Sequence, residues 1–310
     1  MAVQMKGKHI LSIHDLTGEE VRQILDTAKI MKMKKLTGAP FQPLQGKTLG
    51  MIFQKSSTRT RISFEVAMWQ LGGYALFLNP ADLQLKRGET IADTARVLSR
   101  YLDGLMIRTH AHEEVTELAA HSTVPVINGL TDLFHPCQAL ADLLTIEEKK
   151  GSPAGLNLVY LGDGNNMAHS LMYGGAKVGM NVTICSPPGY LPDKDIIETA
   201  RVEAAATGAL INIEHEPAGA VKKADIIYTD VWTSMGREGE GAGRLETFAP
   251  YQVNSALLEK APKEALVMHC LPAHRGEEIT DAVIDGPQSI VFDQAENRLH
   301  LQKAILALVI

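Results

Sequence analysis

Three places in the first half of the chain gather residues able to hold an anion. The first is Gln54-Lys55-Ser56-Ser57-Thr58-Arg59-Thr60-Arg61, which follows the apolar run Leu49 to Phe53 and leads into a helix-like stretch from Ile62. A helix N-terminus offers unpaired N–H groups and the positive end of a dipole, and arginine adds a planar fork that matches phosphate oxygens. The segment lacks the glycines and the Gly-Lys-Ser/Thr ending of a P-loop, so a nucleoside triphosphate is not the ligand this pattern selects. An ordinary capped helix with solvated arginines is the plainer alternative. Next, Leu105-Met106-Ile107 closes on Arg108, a charge costly to place at the end of a buried strand unless it meets an anion. Finally, Val124 to Ile127 leads through Asn128-Gly129 to His135-Pro136-Cys137-Gln138, where Pro136 suits the first residue of a helix. His135 can polarise a carbonyl and Gln138 can hold an amide, although a single histidine capping a helix is more often structural.

The second half carries a different set. Leu158-Val159-Tyr160-Leu161-Gly162-Asp163-Gly164-Asn165-Asn166-Met167 has the outline of a dinucleotide-binding turn, yet Met167 stands where the third glycine belongs. The next strand, Val182 to Cys185, is followed by Ser186-Pro187-Pro188 and not by the acidic residue that holds a ribose. Asn166 is then available to a small polar molecule, unless both asparagines only close the turn. Ile226 to Thr229 delivers Asp230, which can pair with an ammonium group. Behind it, Val231-Trp232-Thr233-Ser234-Met235-Gly236 and the glycines at 239, 241 and 243 make a segment able to fold over a ligand, or simply a surface loop. Leu266 to His269 ends at Cys270, and a lone cysteine at a strand end is usually inert packing.

These residues need a frame, and the apolar pattern supplies one. Thr17 and Glu20 stand in capping-box spacing before a helical stretch that runs to Leu36. Short β-like runs at Leu49 to Phe53, Tyr74 to Leu78, Leu105 to Arg108 and Val124 to Ile127 then alternate with helical segments near 58 to 71, 90 to 101, 112 to 120 and 136 to 149. After the hinge-like Lys149-Lys150-Gly151-Ser152-Pro153 the alternation resumes, with strands expected at Leu156 to Leu161, Val182 to Cys185, Ile211 to Ile213, Ile226 to Thr229, Leu266 to His269 and Ile290 to Phe292. The pattern predicts an α/β fold of two Rossmann-like domains, 1–150 and 151–310, each a parallel sheet covered by helices and linked by helices. At 310 residues and 45% hydrophobic, the chain is long enough for two cores. In such sheets ligands bind beyond the carboxyl ends of strands, which is where the polar residues named above fall.

Composition narrows the partners. Thirty Lys and Arg against 36 Asp and Glu give a net charge of -6, which argues against a nucleic-acid or anionic-membrane surface. The 3 cysteines, Cys137, Cys185 and Cys270, form no close pair, so neither a disulfide framework nor a C-x-x-C site is expected. No apolar segment follows the first charged residues, and Ala304 to Ile310 is too short to span a bilayer, so the expected compartment is the cytosol.

Taken together, Ser57-Thr58-Arg59-Thr60-Arg61, His135-Pro136-Cys137-Gln138, Asp230 with Ser234-Met235-Gly236, and His269-Cys270-Leu271-Pro272 resemble the aspartate/ornithine carbamoyltransferase family, in the family's order. The last two motifs point to ornithine as acceptor and away from aspartate, putrescine or N-acetylornithine. The resemblance implies that Ser57, Thr58, Arg59 and Thr60 bind the phosphate of carbamoyl phosphate, assisted by Arg108. It implies that His135, Gln138 and Arg298 meet the same ligand, with Cys270 and Leu271, and that Gln84 reaches a neighbouring subunit's site in a homotrimer or multiple of trimers. Asn166, Asp230, Ser234 and Met235 would hold ornithine, and Cys270 and Asp230 would orient the attacking amine and relay its proton. The first domain would bind carbamoyl phosphate and the second ornithine, with the C-terminal helix returning to the first. Carbamoyl phosphate already carries a good leaving group, so neither a metal nor a cofactor is expected. A binding protein without turnover and a dehydrogenase on the same double-layer fold are the competing readings, the latter disfavoured by the failed dinucleotide turn.

Overall fold

A computed structural model of the chain describes residues 2–79, 81, 83–84, 88–233 and 241–310. Two compact units emerge, Met1–Leu144 with Glu296–Ile310, and Thr145–Ala295. The chain passes from the first to the second inside the helix Pro136–Lys150, and returns inside the helix Val291–Val309.

The first unit is built on β1 (Thr48–Phe53), β2 (Tyr74–Leu78), β3 (Gly104–Arg108) and β4 (Val126–Leu130), hydrogen-bonded in the order β2-β1-β3-β4 and parallel throughout. β3 is buried along its whole length, as its continuous apolar run demands of a strand covered on both faces. The Gly18–Leu36 helix opens with the expected capping box. Thr17 accepts from the Glu20 N–H at 3.2 Å and the Glu20 carboxylate accepts from the Thr17 N–H at 2.8 Å. Its buried residues Val21, Ile24, Leu25, Ala28 and Met31 recur at helical spacing.

β4 departs from the sequence expectation of Val124 to Ile127. Pro125 has no N–H to give the ladder, so the strand begins after it and takes in Asn128-Gly129, which reads as a turn in sequence. The pairing slips between Ile107 and Arg108, where Arg108 faces Leu130. A Cβ on Gly129 would lie 2.6 Å from Met106 Sδ and 3.2 Å from the Ile107 carbonyl oxygen, so any larger residue beside this slip would have to displace the Met106 side chain.

The second unit holds β5 (Asn157–Leu161), β6 (Asn181–Cys185), β7 (Ile211–Glu214), β8 (Ile226–Thr229) and β9 (Leu266–His269), parallel in the order β7-β6-β5-β8-β9. Val159, Leu161, Ile227 and Val267 join one buried cluster with Val253, Ile279 and Ile284 from the segments that cover the sheet. The strand expected at Ile290 to Phe292 is not one: Ser289 makes a single bridge to Val267, and a helix begins at Val291. Three apolar residues do not distinguish a buried strand from the start of a buried helix, and here they open a 19-residue helix.

Each sheet reverses its winding once, the first between β1 and β3 and the second between β5 and β8. The crevice beyond the carboxyl ends of strands at such a switch point is where parallel sheets take ligands. Among the described residues, no helix is long and apolar enough to cross a membrane.

Candidate functional site

In the first unit the switch point lies between the ends of β1 and β3, and the ladder sets Phe53 beside Arg108. The chain leaves β1 through Gln54, whose N–H donates to the Arg108 carbonyl at 2.9 Å, and enters the helix Thr58–Gln70. Ser57 is its N-cap: the hydroxyl accepts from the Thr60 N–H at 3.3 Å and lies 3.1 Å from Thr60 Oγ1. The first turn holds no acidic residue, so no side chain of the helix neutralises the positive end of its dipole. Thr58 is exposed, Arg59 half-buried and Thr60 buried. Arg61 takes another direction, with its guanidinium 3.9 Å from the Phe77 ring centroid and its Nε 2.9 Å from Glu65.

Residues far apart in sequence meet at this end. Arg298 donates to Gln138 Oε1 at 2.5 Å and to Thr60 Oγ1 at 3.3 Å, joining the last helix to the two that open at Thr58 and Pro136. Gln138 Nε2 donates in turn to the buried Asp142 at 2.8 Å. Arg108 is 5% exposed and Arg298 3%, so both charges stand largely out of water. Lys55, also buried, lies 3.0 Å from Asp132.

His135 reports the field these cations make. Burial, and then the charges of Arg298, Arg108, Arg59 and Lys55, hold its pKa well below the usual imidazole value. Near neutral pH the ring is therefore uncharged, and it can donate a hydrogen bond without surrendering a proton. Its ring resonances in an NMR titration are expected to stay fixed between roughly pH 5.5 and 8, where an ordinary histidine titrates. Movement centred near pH 6.5 would show that neither burial nor the cations perturb it. The unfolded chain binds this proton and the folded one resists it, so His135 lowers stability progressively as pH falls from the ordinary imidazole value toward the folded pKa.

The second unit presents a different chemistry at its own switch point. Thr229 pairs with His269 across β8 and β9, so the residues that follow, Asp230 and Cys270, are neighbours by register. Cys270 Sγ donates to Asp230 Oδ1 at 2.9 Å, and the Val231 N–H donates to the same oxygen at 2.8 Å. Oδ2 accepts from Asn165 Nδ2 at 3.1 Å. Asn165 is oriented in turn, since its Oδ1 caps the helix Asn166–Val178 at the Met167 N–H, 2.9 Å, and accepts from the Tyr160 hydroxyl at 3.2 Å. Burial, then the charge of Asp230, pushes the Tyr160 phenol well above its ordinary pKa, which keeps it a donor. Asn166 opens the helix half-buried, and its carbonyl accepts from Ser170 Oγ at 2.7 Å. In the same turn a Cβ on Gly164 would lie 2.1 Å from Pro192 N, so the backbones approach as closely there as only glycine permits.

Beyond Cys270 the backbone is strained. Leu271 sits at φ 57, in the left-handed region that costs a non-glycine residue about 1–3 kcal/mol. The Leu271 N–H donates to His269 Nδ1 at 2.8 Å, which places the ring proton on Nε2, 2.9 Å from Glu278 Oε1. A fully buried histidine and glutamate thus hold the turn that carries Cys270 and Leu271.

Ser234 and Met235 lie outside the described residues. The segment before them is anchored: Arg244, buried, donates to the Trp232 carbonyl at 2.9 Å from Nε and 2.5 Å from Nη2, and pairs with Asp163. Gln84 is exposed, and its carbonyl accepts from the Glu89 N–H at 3.2 Å; no hydrogen bond among the described residues joins it to the others named here.

Asp230, His269 and Cys270 offer ligand atoms within 4.8 Å of one another, as do His274, Glu277 and Glu278. In the first group both ring nitrogens of His269 are committed, to Leu271 and to Glu278, so only a thiol and a carboxylate remain for an ion.

Lys55, Asn165 and His269 stand in the sequence motifs without a role of their own, and Asp142 and Glu278 stand in none of them. Asp142 had a signal, standing one helical turn after Gln138. The others acquire their roles from contacts that local spacing does not announce.

Residues 8–148 match a family model described as the carbamoyl-P binding domain of aspartate/ornithine carbamoyltransferase, and residues 154–309 the Asp/Orn binding domain of the same family. The chain is 59% identical over 309 residues to an ornithine carbamoyltransferase of Thermococcus kodakarensis, with 100% of this chain and 98% of that protein covered. It is 58% identical over 309 residues to one named ornithine carbamoyltransferase, anabolic, from Pyrococcus furiosus, with the same coverage. Among solved structures, an ornithine carbamoyltransferase from Pyrococcus furiosus superposes with a TM-score of 0.97 at 58% identity, covering 99% of this chain and 98% of that one. One from Gloeobacter violaceus gives 0.88 at 48% identity, covering 99% of each chain.

Proposed function

The chain belongs to the aspartate/ornithine carbamoyltransferase family, and from that premise we infer that it transfers the carbamoyl group of carbamoyl phosphate to the side-chain amine of ornithine. The products are citrulline and inorganic phosphate. The observation that carries the site assignment is the convergence of Thr60, Gln138 and Arg298, with Arg59, Arg108 and Lys55 all acting on His135, at one sheet end in the first unit.

In this reading Ser57, Thr58, Arg59 and Thr60 take the phosphate, and Arg108, His135, Gln138 and Arg298 the carbamoyl end. Bound first, the phosphate fixes the carbonyl carbon for attack. The ornithine amine must lose a proton before its lone pair can form the new C–N bond. Asp230 and Cys270, hydrogen-bonded to each other at 2.9 Å, orient that amine and pass on its proton, with Asn166, Ser234 and Met235 holding the rest of the amino acid. As the bond forms, charge grows on the carbonyl oxygen, where Arg108 and the neutral His135 donate. The intermediate gives up the second amine proton and collapses by breaking the C–O bond to phosphate, which leaves with the electron pair and takes up that proton.

The protein acts in the cytosol as a trimer or a multiple of trimers, with Gln84 completing a neighbour's site. Exposed Trp69, Tyr74 and Tyr101 in the first unit, each more than half accessible, support a subunit contact there.

The test offers carbamoyl phosphate with ornithine, putrescine, N-acetylornithine and aspartate in parallel at mildly alkaline pH, where more of the amine is unprotonated. Citrulline from ornithine alone is the expected result. Turnover of another amine would overturn the acceptor assignment, and saturable binding without turnover of any would leave a binding protein.

A further inference from the structure

Gln138 stands between two partners that leave its side-chain amide no freedom to turn over. Arg298 carries only donors, and its Nη1 reaches the amide oxygen at 2.5 Å. Opposite, the amide nitrogen donates to Asp142 Oδ1 at 2.8 Å. Gln138 and Asp142 are one turn apart on the same helix and are 1% and 0% exposed, so bulk water does not compete for these bonds. Exchanging the amide's oxygen and nitrogen would set N–H against guanidinium and carbonyl against carboxyl oxygen.

The fixed orientation has a chemical meaning. A carbonyl oxygen accepts two hydrogen bonds, and Arg298 uses one. The second can accept from an N–H of a ligand. Carbamoyl phosphate ends in an amino group, whereas acetyl phosphate, of similar shape and charge, carries a methyl group in that place. Resting on the assignment of this site to carbamoyl phosphate, we propose that Asp142 is a positioning residue that holds the Gln138 amide with its oxygen toward the ligand, so that the site selects a carbamoyl over an acyl phosphate. Arg298 cannot do this alone, because it is itself one of the groups that engages the ligand. Asp142 remains when Arg298 is drawn away.

The experiment compares the affinity for carbamoyl phosphate with that for acetyl phosphate, measured by direct titration. The unaltered protein is expected to bind acetyl phosphate roughly ten-fold or more weakly, the worth of one buried hydrogen bond gained and one polar group left unmet. Asp142→Leu, which removes the acceptor for the amide nitrogen, should weaken carbamoyl phosphate by about ten-fold and acetyl phosphate by less than about two-fold. Asp142→Asn, whose amide oxygen can still accept, should keep most of the discrimination. A merely structural role would weaken both ligands alike, and that outcome overturns the proposal. So does full discrimination in Asp142→Leu, or none in the unaltered protein. If the leucine variant does not fold, Asp142→Ser, too short to reach the amide nitrogen, makes the same test. Failure of the functional assignment reads differently, since then neither ligand binds or no amine accepts the carbamoyl group.

Discussion

Arg108→Met is expected to lower turnover by roughly a hundred-fold or more while the protein stays folded. Arg108 ends β3 with 5% of its surface exposed, at a slip in the pairing with β4. A guanidinium held out of water at a strand end has donors set in place, and an anionic ligand's oxygens are the partners its charge suits best. In the transfer reaction negative charge appears on the carbonyl oxygen and on the leaving phosphate. A donor already in place needs no reorganisation when that charge develops. Methionine fills much of the same space without the charge. The check is steady-state turnover beside a thermal melt. A folded variant with near-normal kcat would remove Arg108 from the site. His135 should stay neutral in the variant, because burial and Arg298 act on it more strongly than Arg108 does.

The second large effect is expected at the other ligand. Asp230→Asn should cut the rate with ornithine by about a hundred-fold to a thousand-fold, the usual cost of removing one partner from a buried charge pair. Asp230 is 8% exposed, and its two oxygens accept from Cys270, Val231 and Asn165. Asparagine keeps the shape but loses the charge that pairs with an ammonium group, and it sets an N–H against one of those donors. The loss should fall on ornithine: its KM rises and kcat drops, while carbamoyl phosphate binds the variant as before. A comparable weakening of carbamoyl phosphate would mean that Asp230 serves the fold at large. Because Cys270 and Asp230 share a hydrogen bond, combining Asp230→Asn with Cys270→Ser should cost less than the product of the two single losses. Independent effects would separate the two residues mechanistically.

Much of this protein is written in local sequence. Alternating apolar runs and helical segments specify parallel strands covered by helices, because each element must bury its apolar side by its own period. Thr17 and Glu20 close the first helix within three residues, and Ser57 caps the one that opens the anion site, so both starts are legible without any distant partner. The kinds of chemistry available, an anion held at a helix start and an amine held by a carboxylate, follow from residue types at strand ends.

Tertiary structure decided the rest, and the reason is range. The start of β4 after Pro125 and the helix at Val291 in place of a strand were settled by pairing and packing that short apolar runs do not encode. Thr60, Gln138 and Arg298 form one hydrogen-bonded group although they lie on three separate helices. Asp230 and Cys270 meet because β8 and β9 pair in one register; a slip of one residue would turn the two side chains to opposite faces. The orientation of Gln138, the neutral His135 and the proton on His269 Nε2 likewise depend on neighbours that only the folded chain brings within hydrogen-bond reach. Residue identity fixes what each group can donate, accept or carry, but burial and distant partners fix which of those states it holds.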